Sequence, residues 1–233
     1  YNTVWVGDIK YKDLNGDGVI DENDRTNIGS PMPKYTFGWN NTFRYKNFDL
    51  NVFINGSVGN KVMNYLSIKL THMNSAWTNQ LTTVNDRAQL VPIDPNKDYS
   101  GGVDVFGTTV YNWYDDITNV KVANSGASIP RVSINDPNDN DRISDRYIED
   151  GSYVRLKNIA LGYTFPKKLI SKFKIENLRL YANIQNLLTI TGYDGYDPEV
   201  GASTSDSTGY TYGVDNGRYP SPTTFSFGMN ITF

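Results

Sequence analysis

The 233-residue chain contains no cysteine and a single histidine, His72. The first absence excludes disulfides, thiolate metal centres and cysteine nucleophiles. The second excludes a metal site built from several histidines. The net charge is only −3, and the lysines and arginines are scattered rather than gathered into a patch. No case for nucleic-acid binding follows. No run of about 18 apolar residues occurs, so no helix of the chain is expected to cross a membrane. The first residues, YNTVWVGD, do not read as a signal peptide. The mean hydropathy, −0.51, would suit a soluble protein. It would equally suit a β-barrel, because lipid-facing strands alternate and average out as polar. Tyrosine (17) and phenylalanine (10) are plentiful, which favours β structure.

Residues 13–24, DLNGDGVIDEND, carry a recognisable spacing. Counted from Asp13 as position 1, Asn15, Asp17, Val19, Asp21 and Asp24 fall at positions 3, 5, 7, 9 and 12, with Gly18 at 6. This is the ligand pattern of an EF-hand-type calcium loop. Calcium takes six to eight oxygens, and a tight loop aims alternate side chains inward while Val19 offers its carbonyl. Gly18 permits the sharp turn. The pattern departs from a sensor in three ways. Position 12 is Asp24 rather than Glu, the flanks read as extended chain, and there is only one such loop. A structural calcium ion is therefore expected, set against a solvated turn that binds nothing. DPNDND, residues 136–141, has poor spacing for a second calcium site.

Elsewhere the period is two. In 223–233, Phe225, Phe227, Met229, Ile231 and Phe233 share one face. Residues 35–45 put Tyr35, Phe37, Trp39, Phe43 and Tyr45 on one face, and 48–58 follow after only Lys46–Asn47, which predicts a hairpin. Residues 150–165 flip parity near Lys157–Asn158, which predicts a β-bulge. Residues 166–174 read as a short connection with a helical turn, and 175–190 as a further strand. The remainder reads as loop, except for a helix expected within 60–73.

Alternation alone fits a soluble sandwich or a membrane barrel. Strands of about 11 residues tilted near 40° span roughly 27 Å, the height of an outer-membrane apolar band. Connections alternate between short and long, as periplasmic turns and external loops do. Aromatics gather at the short-turn ends: Phe43, Tyr45, Phe48, Tyr163, Phe165 and Phe233. The expected fold is therefore all-β, an antiparallel transmembrane β-barrel segment of about five strands with long extracellular loops. The expected partition is an external loop at 1–33 holding the calcium loop, a hairpin at 34–58 and an external loop at 59–149. Two strands with a periplasmic turn follow at 150–191, an external loop at 192–221 and a closing strand at 222–233. Five strands cannot close in lipid, so the chain reads as the C-terminal piece of a larger barrel.

Three stretches resemble a known family. GDIKYKDLNGDGVIDENDRTNIGSPMPKYTFGWNNTFRYKNFDLNVFINGSVGNKV, RYIEDGSYVRLKNIALGYTFP and LRLYANIQNLLTITGYDGYDPEV resemble the late-barrel region of SusC/RagA-type TonB-dependent outer-membrane transporters of Bacteroidetes. FSFGMNITF resembles their closing strand. The likeness runs over nearly all of the chain except residues 75–125. It implies a barrel of about 22 strands with a plug, located in the outer membrane. It also implies import of oligosaccharides or peptides driven by TonB, and a SusD-like lipoprotein as lid. Phe233 would be the signal read by the barrel-assembly machinery, and calcium a staple of an external loop. The plug and the TonB contact would lie outside this chain.

On this reading Arg44, Asn51, Arg179, Asn183 and Gln185 line a wet lumen. Trp113, Tyr114, Tyr193 and Tyr196, taken as exposed loop aromatics, are candidates for stacking on substrate, although packing within loops accounts for each singly. The alternative is a soluble calcium-stabilised all-β binding or adhesion domain with its apolar faces in a sandwich core. Enzymatic activity is not expected. Paired carboxylates such as Asp115–Asp116 and Asp197 with Glu199 sit among asparagines and glycines, where acidic residues cap turns, and no catalytic histidine arrangement accompanies them.

Overall fold

A computed structural model describes residues 4–74, 77–200 and 212–233. The middle of the loop expected at 192–221, residues 201–211, thus lies outside the described residues. In chain order the strands are β1 (Tyr35–Tyr45), β2 (Phe48–Val58), β3 (Lys61–Asn64), β4 (Leu90–Pro92), β5 (Val103–Val105) and β6 (Thr108–Val110). They continue as β7 (Val120–Val122), β8 (Ile148–Asp150), β9 (Tyr153–Thr164), β10 (Asn177–Thr191), β11 (Val214–Asp215) and β12 (Thr224–Thr232). The helices are α1 (Tyr65–Thr71) and α2 (Lys167–Ile170). The chain divides into two compact units, Tyr1–Asn27 with Leu66–Arg146, and Ile28–Tyr65 with Tyr147–Phe233.

The second unit is dominated by an antiparallel five-stranded sheet of order β1-β2-β9-β10-β12. Its register follows from the alternation. Leu50 lies opposite Phe43 and Leu161, and Leu161 lies opposite Ala182, which faces Phe227. Directly opposed residues share a face, so one face of the sheet is apolar across all five strands. That face is open: Trp39 is 50% exposed, Phe227 82% and Met229 62%. A sandwich would cover these side chains with a second sheet. A barrel wall turns them to lipid, and the fold is an antiparallel barrel segment.

The parity flip marks a real irregularity. Phe53 pairs with Asn158 and Ile54 with Leu156, leaving Lys157 as the extra residue on β9. On the other side of β9 the register jumps from Gln185 to Leu188, with Asn186 at φ 52°. The bulge lets both halves of β9 keep their apolar residues on one face.

The connections at one end of the sheet are short. Lys46 takes φ 52° to turn β1 into β2, and Asn47 exchanges two 2.8 Å hydrogen bonds with Thr164. After β9, Pro166 precedes α2, and Lys174 at φ 57° ends the following 3-10 turn. Aromatics crowd this edge: Phe48 and Tyr163 lie 4.7 Å apart between centroids, and Tyr163 and Phe165 5.1 Å. At the opposite end β11, β3 and β8 form a small sheet with Val62 buried in it.

The first unit corrects the reading of 59–149 as plain loop. It carries the hairpin β5–β6, the pair β4–β7 and several 3-10 turns. The helix expected over 60–73 also begins late. Residues 61–64 are β3, and only 65–71 are helical. Val62 pairs with Glu149 in the small sheet, and that tertiary pairing overrides the helical spacing.

Candidate functional site

The face opposite the apolar one is polar. Asn51 donates to Asn40 Oδ1 at 2.8 Å and to Thr42 Oγ1 at 3.0 Å. Arg44 lies opposite Asp49, and Asn183 opposite both Ala160 and Ser226. Arg179, on β10, reaches over β9 to Asp49 on β2, donating from Nε at 3.0 Å and from Nη2 at 2.5 Å. The strand between them carries Gly162 in register with Asp49. A Cβ at Gly162 would meet Asp49 Oδ1 at 2.5 Å and collide with the Arg179 guanidinium. The glycine is the gap through which two non-adjacent strands form an ion pair.

Nearer the small sheet, β9 aims Arg155 at a loop. Its side chain is 3% exposed. It donates to Asp197 at 2.5 Å, to Glu199 at 2.7 Å and to Thr189 at 2.8 Å. Lys157, turned by the bulge, donates to Glu199 at 2.8 Å. Asp197 also accepts the amides of Glu199 and Ser221, at 2.9 and 3.0 Å. Burial pushes the Asp197 carboxyl up, but the Arg155 guanidinium and those amides outweigh it and hold the group at about 2. The two cations and two carboxylates form a clamp that fastens the segment after β10 to the polar face. The sequence reading singled out Asp197 and Glu199 only as turn-capping acids and did not include Arg155.

The four candidate aromatics do not form one group. Tyr193 is buried, so the premise of exposure fails there. Its hydroxyl donates to the buried Asp215 at 2.7 Å, and burial followed by that carboxylate raises its pKa. Tyr196, three residues on, is 63% exposed. In the first unit Trp113 is half-buried and Tyr114 is exposed, their rings edge-on at 6.0 Å. They ride on a 3-10 turn followed by Asp116, which is fully buried and pairs with Lys97. The Lys97 ammonium and the Thr118 hydroxyl hold Asp116 at about 2. Tyr99 and Asn119 complete this support, with Asn119 donating to the Tyr99 hydroxyl at 2.6 Å. Trp113, Tyr114 and Tyr196 keep an accessible ring surface, and Tyr193 serves packing.

The acidic loop folds around its own side chains. Asp13 accepts the amides of Gly16 at 2.6 Å and Gly18 at 2.8 Å, with both glycines at positive φ. Asn15 donates to Asp17 at 2.9 Å. Asp24 closes the ring by accepting the amides of Leu14 at 2.7 Å and Asp21 at 2.9 Å, and those of Asp21 and Leu14 lower its pKa. Asp21 caps the 3-10 turn Glu22–Asp24. Val19 is 48% exposed. The donor set is hard oxygen throughout, as calcium requires, and first and twelfth residues turn towards one another. The carboxylates of the loop do not converge as closely as a filled site demands. Among the described residues, the cluster of three ligand atoms within 4.8 Å lies elsewhere, at His72, Asp136 and Asp141. The residues suit calcium, and binding would draw them inward.

Comparison with known proteins places this geometry. No protein-family model matches the chain. TonB-dependent receptor P3 of Formosa agariphila is 34% identical over 225 residues, covering 96% of this chain and 19% of the receptor. TonB-dependent receptor SusC of Bacteroides thetaiotaomicron is 27% identical over 225 residues, covering 96% of this chain and 17% of that protein. Among solved structures, the RagAB peptide transporter superposes with a TM-score of 0.54 at 21% identity, over 88% of this chain and 18% of that one. The RagAB peptide importer in its closed-closed state gives 0.54 at 19% identity, over 93% and 20%. The chain spans about a fifth of the length of the proteins it matches.

Proposed function

The chain belongs with the SusC/RagA-type TonB-dependent receptors, and from that premise we propose that it forms part of the wall of an outer-membrane importer. The observation that carries the proposal is the two-faced sheet, exposed and apolar on one side, polar and ion-paired on the other. Lipid meets the first face, and solute passes along the second. The substrate is an oligosaccharide or a peptide, and Trp113, Tyr114 and Tyr196 are the aromatic surfaces offered to it. A SusD-like surface lipoprotein caps the barrel, and TonB supplies energy through a part of the protein outside this chain. The acidic loop, Asp13 to Asp24, binds calcium as a staple on the outer side. Phe233, 81% exposed beside the aromatic edge, is the residue read during barrel assembly.

The test uses the full-length protein in a strain lacking its own copy. Uptake of labelled oligosaccharides and of labelled peptides is compared, with and without the ionophore that collapses the proton gradient. Ionophore-sensitive uptake of one class supports the proposal and names the substrate. Equal entry of both classes, untouched by the ionophore, would leave a passive pore and sink the TonB-driven reading.

A further inference from the structure

The single histidine is not used by anything described above. His72 follows α1 in the first unit, and its side chain is 9% exposed. Its Nε2 lies 3.5 Å from Asp136 Oδ2 and 3.9 Å from Asp141 Oδ2. Among the described residues it makes no hydrogen bond. A nine-tenths buried imidazole thus points, without a hydrogen-bonding partner, at two carboxylates.

The carboxylate of Asp136 is held in place from behind. Asn140 donates its backbone amide to Oδ2 at 2.6 Å and its side-chain amide to Oδ1 at 2.8 Å. Asn140 is in turn tied to Asp8 at 2.9 Å. A carboxylate oxygen has two lone pairs, so Oδ2 keeps one for the space before His72. Groups that orient a ligand in this way are characteristic of metal centres. Asp141 is 42% exposed and opens the cluster to solvent.

The distances separate the two ways such a cluster works. A charge-assisted hydrogen bond between an imidazolium and a carboxylate would bring N and O to about 2.7–2.9 Å. Two atoms bound tetrahedrally to one ion at about 2.0–2.1 Å lie about 3.4 Å apart. The 3.5 Å separation of His72 and Asp136 matches the second case. One ligand atom from each of the three residues lies within 4.8 Å of the others, so a small inward movement of Asp141 completes a three-ligand set.

We propose that His72, Asp136 and Asp141 hold one divalent ion of the zinc class, with water in the remaining position. Imidazole nitrogen with carboxylate oxygen suits zinc-class ions, whereas calcium and magnesium prefer an all-oxygen shell. The ion joins the segment after α1 to the 136–141 turn. The site is separate from the acidic loop at 13–24 and does not depend on the transport reading.

The experiment is zinc titration of the full-length protein, purified without a polyhistidine tag and stripped with chelator. Bound metal is counted by mass spectrometry, and the ligands are read by X-ray absorption. Wild type is expected to retain one zinc that His72→Gln loses, with an imidazole signature at the edge and no displacement by millimolar calcium. Asp141→Asn, a partly exposed position whose change spares the packing, is expected to weaken zinc at least about tenfold. Equal zinc in wild type and His72→Gln, or ready displacement by calcium, overturns the proposal. Should His72→Gln misfold, unchanged zinc affinity in Asp141→Asn overturns it alone.

Discussion

Arg155 and Asp197 meet at 2.5 Å with 3% and 7% of their side chains exposed, and through them a strand of the wall holds the loop beyond its neighbour. Removing one member of such a pair strands the other charge in a dry site, at a cost of about 3–5 kcal/mol. Arg155→Met should therefore release residues 192–200 from the polar face. Hydrogen exchange of that segment in the full-length protein reads the effect, with protection expected to fall by about a hundredfold or more. Arg155→Lys should recover only part of it, because one ammonium cannot serve Asp197, Glu199 and Thr189 together. Wild-type protection in Arg155→Met would show that the loop is held by other contacts.

The same clamp has a pH signature. The folded pKa of Asp197, about 2, lies below the ordinary carboxylate value of about 3.9. A depressed folded value stabilises above the unfolded pKa and loses that contribution as pH falls through the folded one. Loop protection should hold from pH 7 to about 4 and then decline towards about 2. In Arg155→Met the cation that depresses Asp197 is gone, so the folded value moves up towards the unfolded one and the fall in protection between about pH 4 and about pH 2 should shrink. Hydrogen exchange at stepped pH separates the two curves, and coincident curves would remove Arg155 as the cause.

At Gly162 a single added carbon decides the geometry. Gly162→Ala sets a methyl between Asp49 and Arg179, and the ion pair must open or the strands must shift. Overpacking of this kind costs about 1–3 kcal/mol. The temperature at which the assembled protein unfolds on a gel should drop. Adding Asp49→Ala to Gly162→Ala should lower it little further, because the pair is already broken.

What the sequence made legible here was set by local rules. A period of two is written residue by residue, so the five long strands could be read from Tyr35–Tyr45 through Thr224–Thr232. The bulge was legible because a skipped residue leaves a parity error, and Lys157 is that residue. The clamp was not, because Arg155 lies 42 residues from Asp197 and 44 from Glu199. Tyr193 misled for the same reason: its partner Asp215 is 22 residues away, and nothing local distinguishes it from Tyr196. The three-residue strands of the first unit are too short to show a period, and pairing such as β4 with β7 exists only in the fold.

The orientation of the wall can be tested by charge. Ile159 sits mid-strand on the apolar face, opposite Val52 and Ile184. Ile159→Arg should cost about 2–4 kcal/mol if that face meets lipid near the bilayer centre. Asn51→Arg, one face over on β2, should be tolerated in a wet lumen. The readout is the amount of folded protein in the outer membrane at equal expression. Depletion of Ile159→Arg with near-normal Asn51→Arg is expected. The reverse pattern, with Ile159→Arg tolerated and Asn51→Arg depleted, would show that the apolar face does not meet lipid.

The acidic loop offers the last comparison. Asp13 already accepts two backbone amides, whereas Asp17 sits further out, accepting from Asn15 and Val19. Asp17→Ala should therefore leave the turn formed but remove a calcium ligand. Protease cleavage within residues 13–24 is expected to be slow in wild type with calcium and fast once calcium is chelated. In Asp17→Ala it should be fast in both conditions, with the barrel strands unaffected. If chelation leaves the wild-type cleavage rate unchanged, the loop is a turn held by its own asparagines and aspartates, and no ion is needed to explain its spacing.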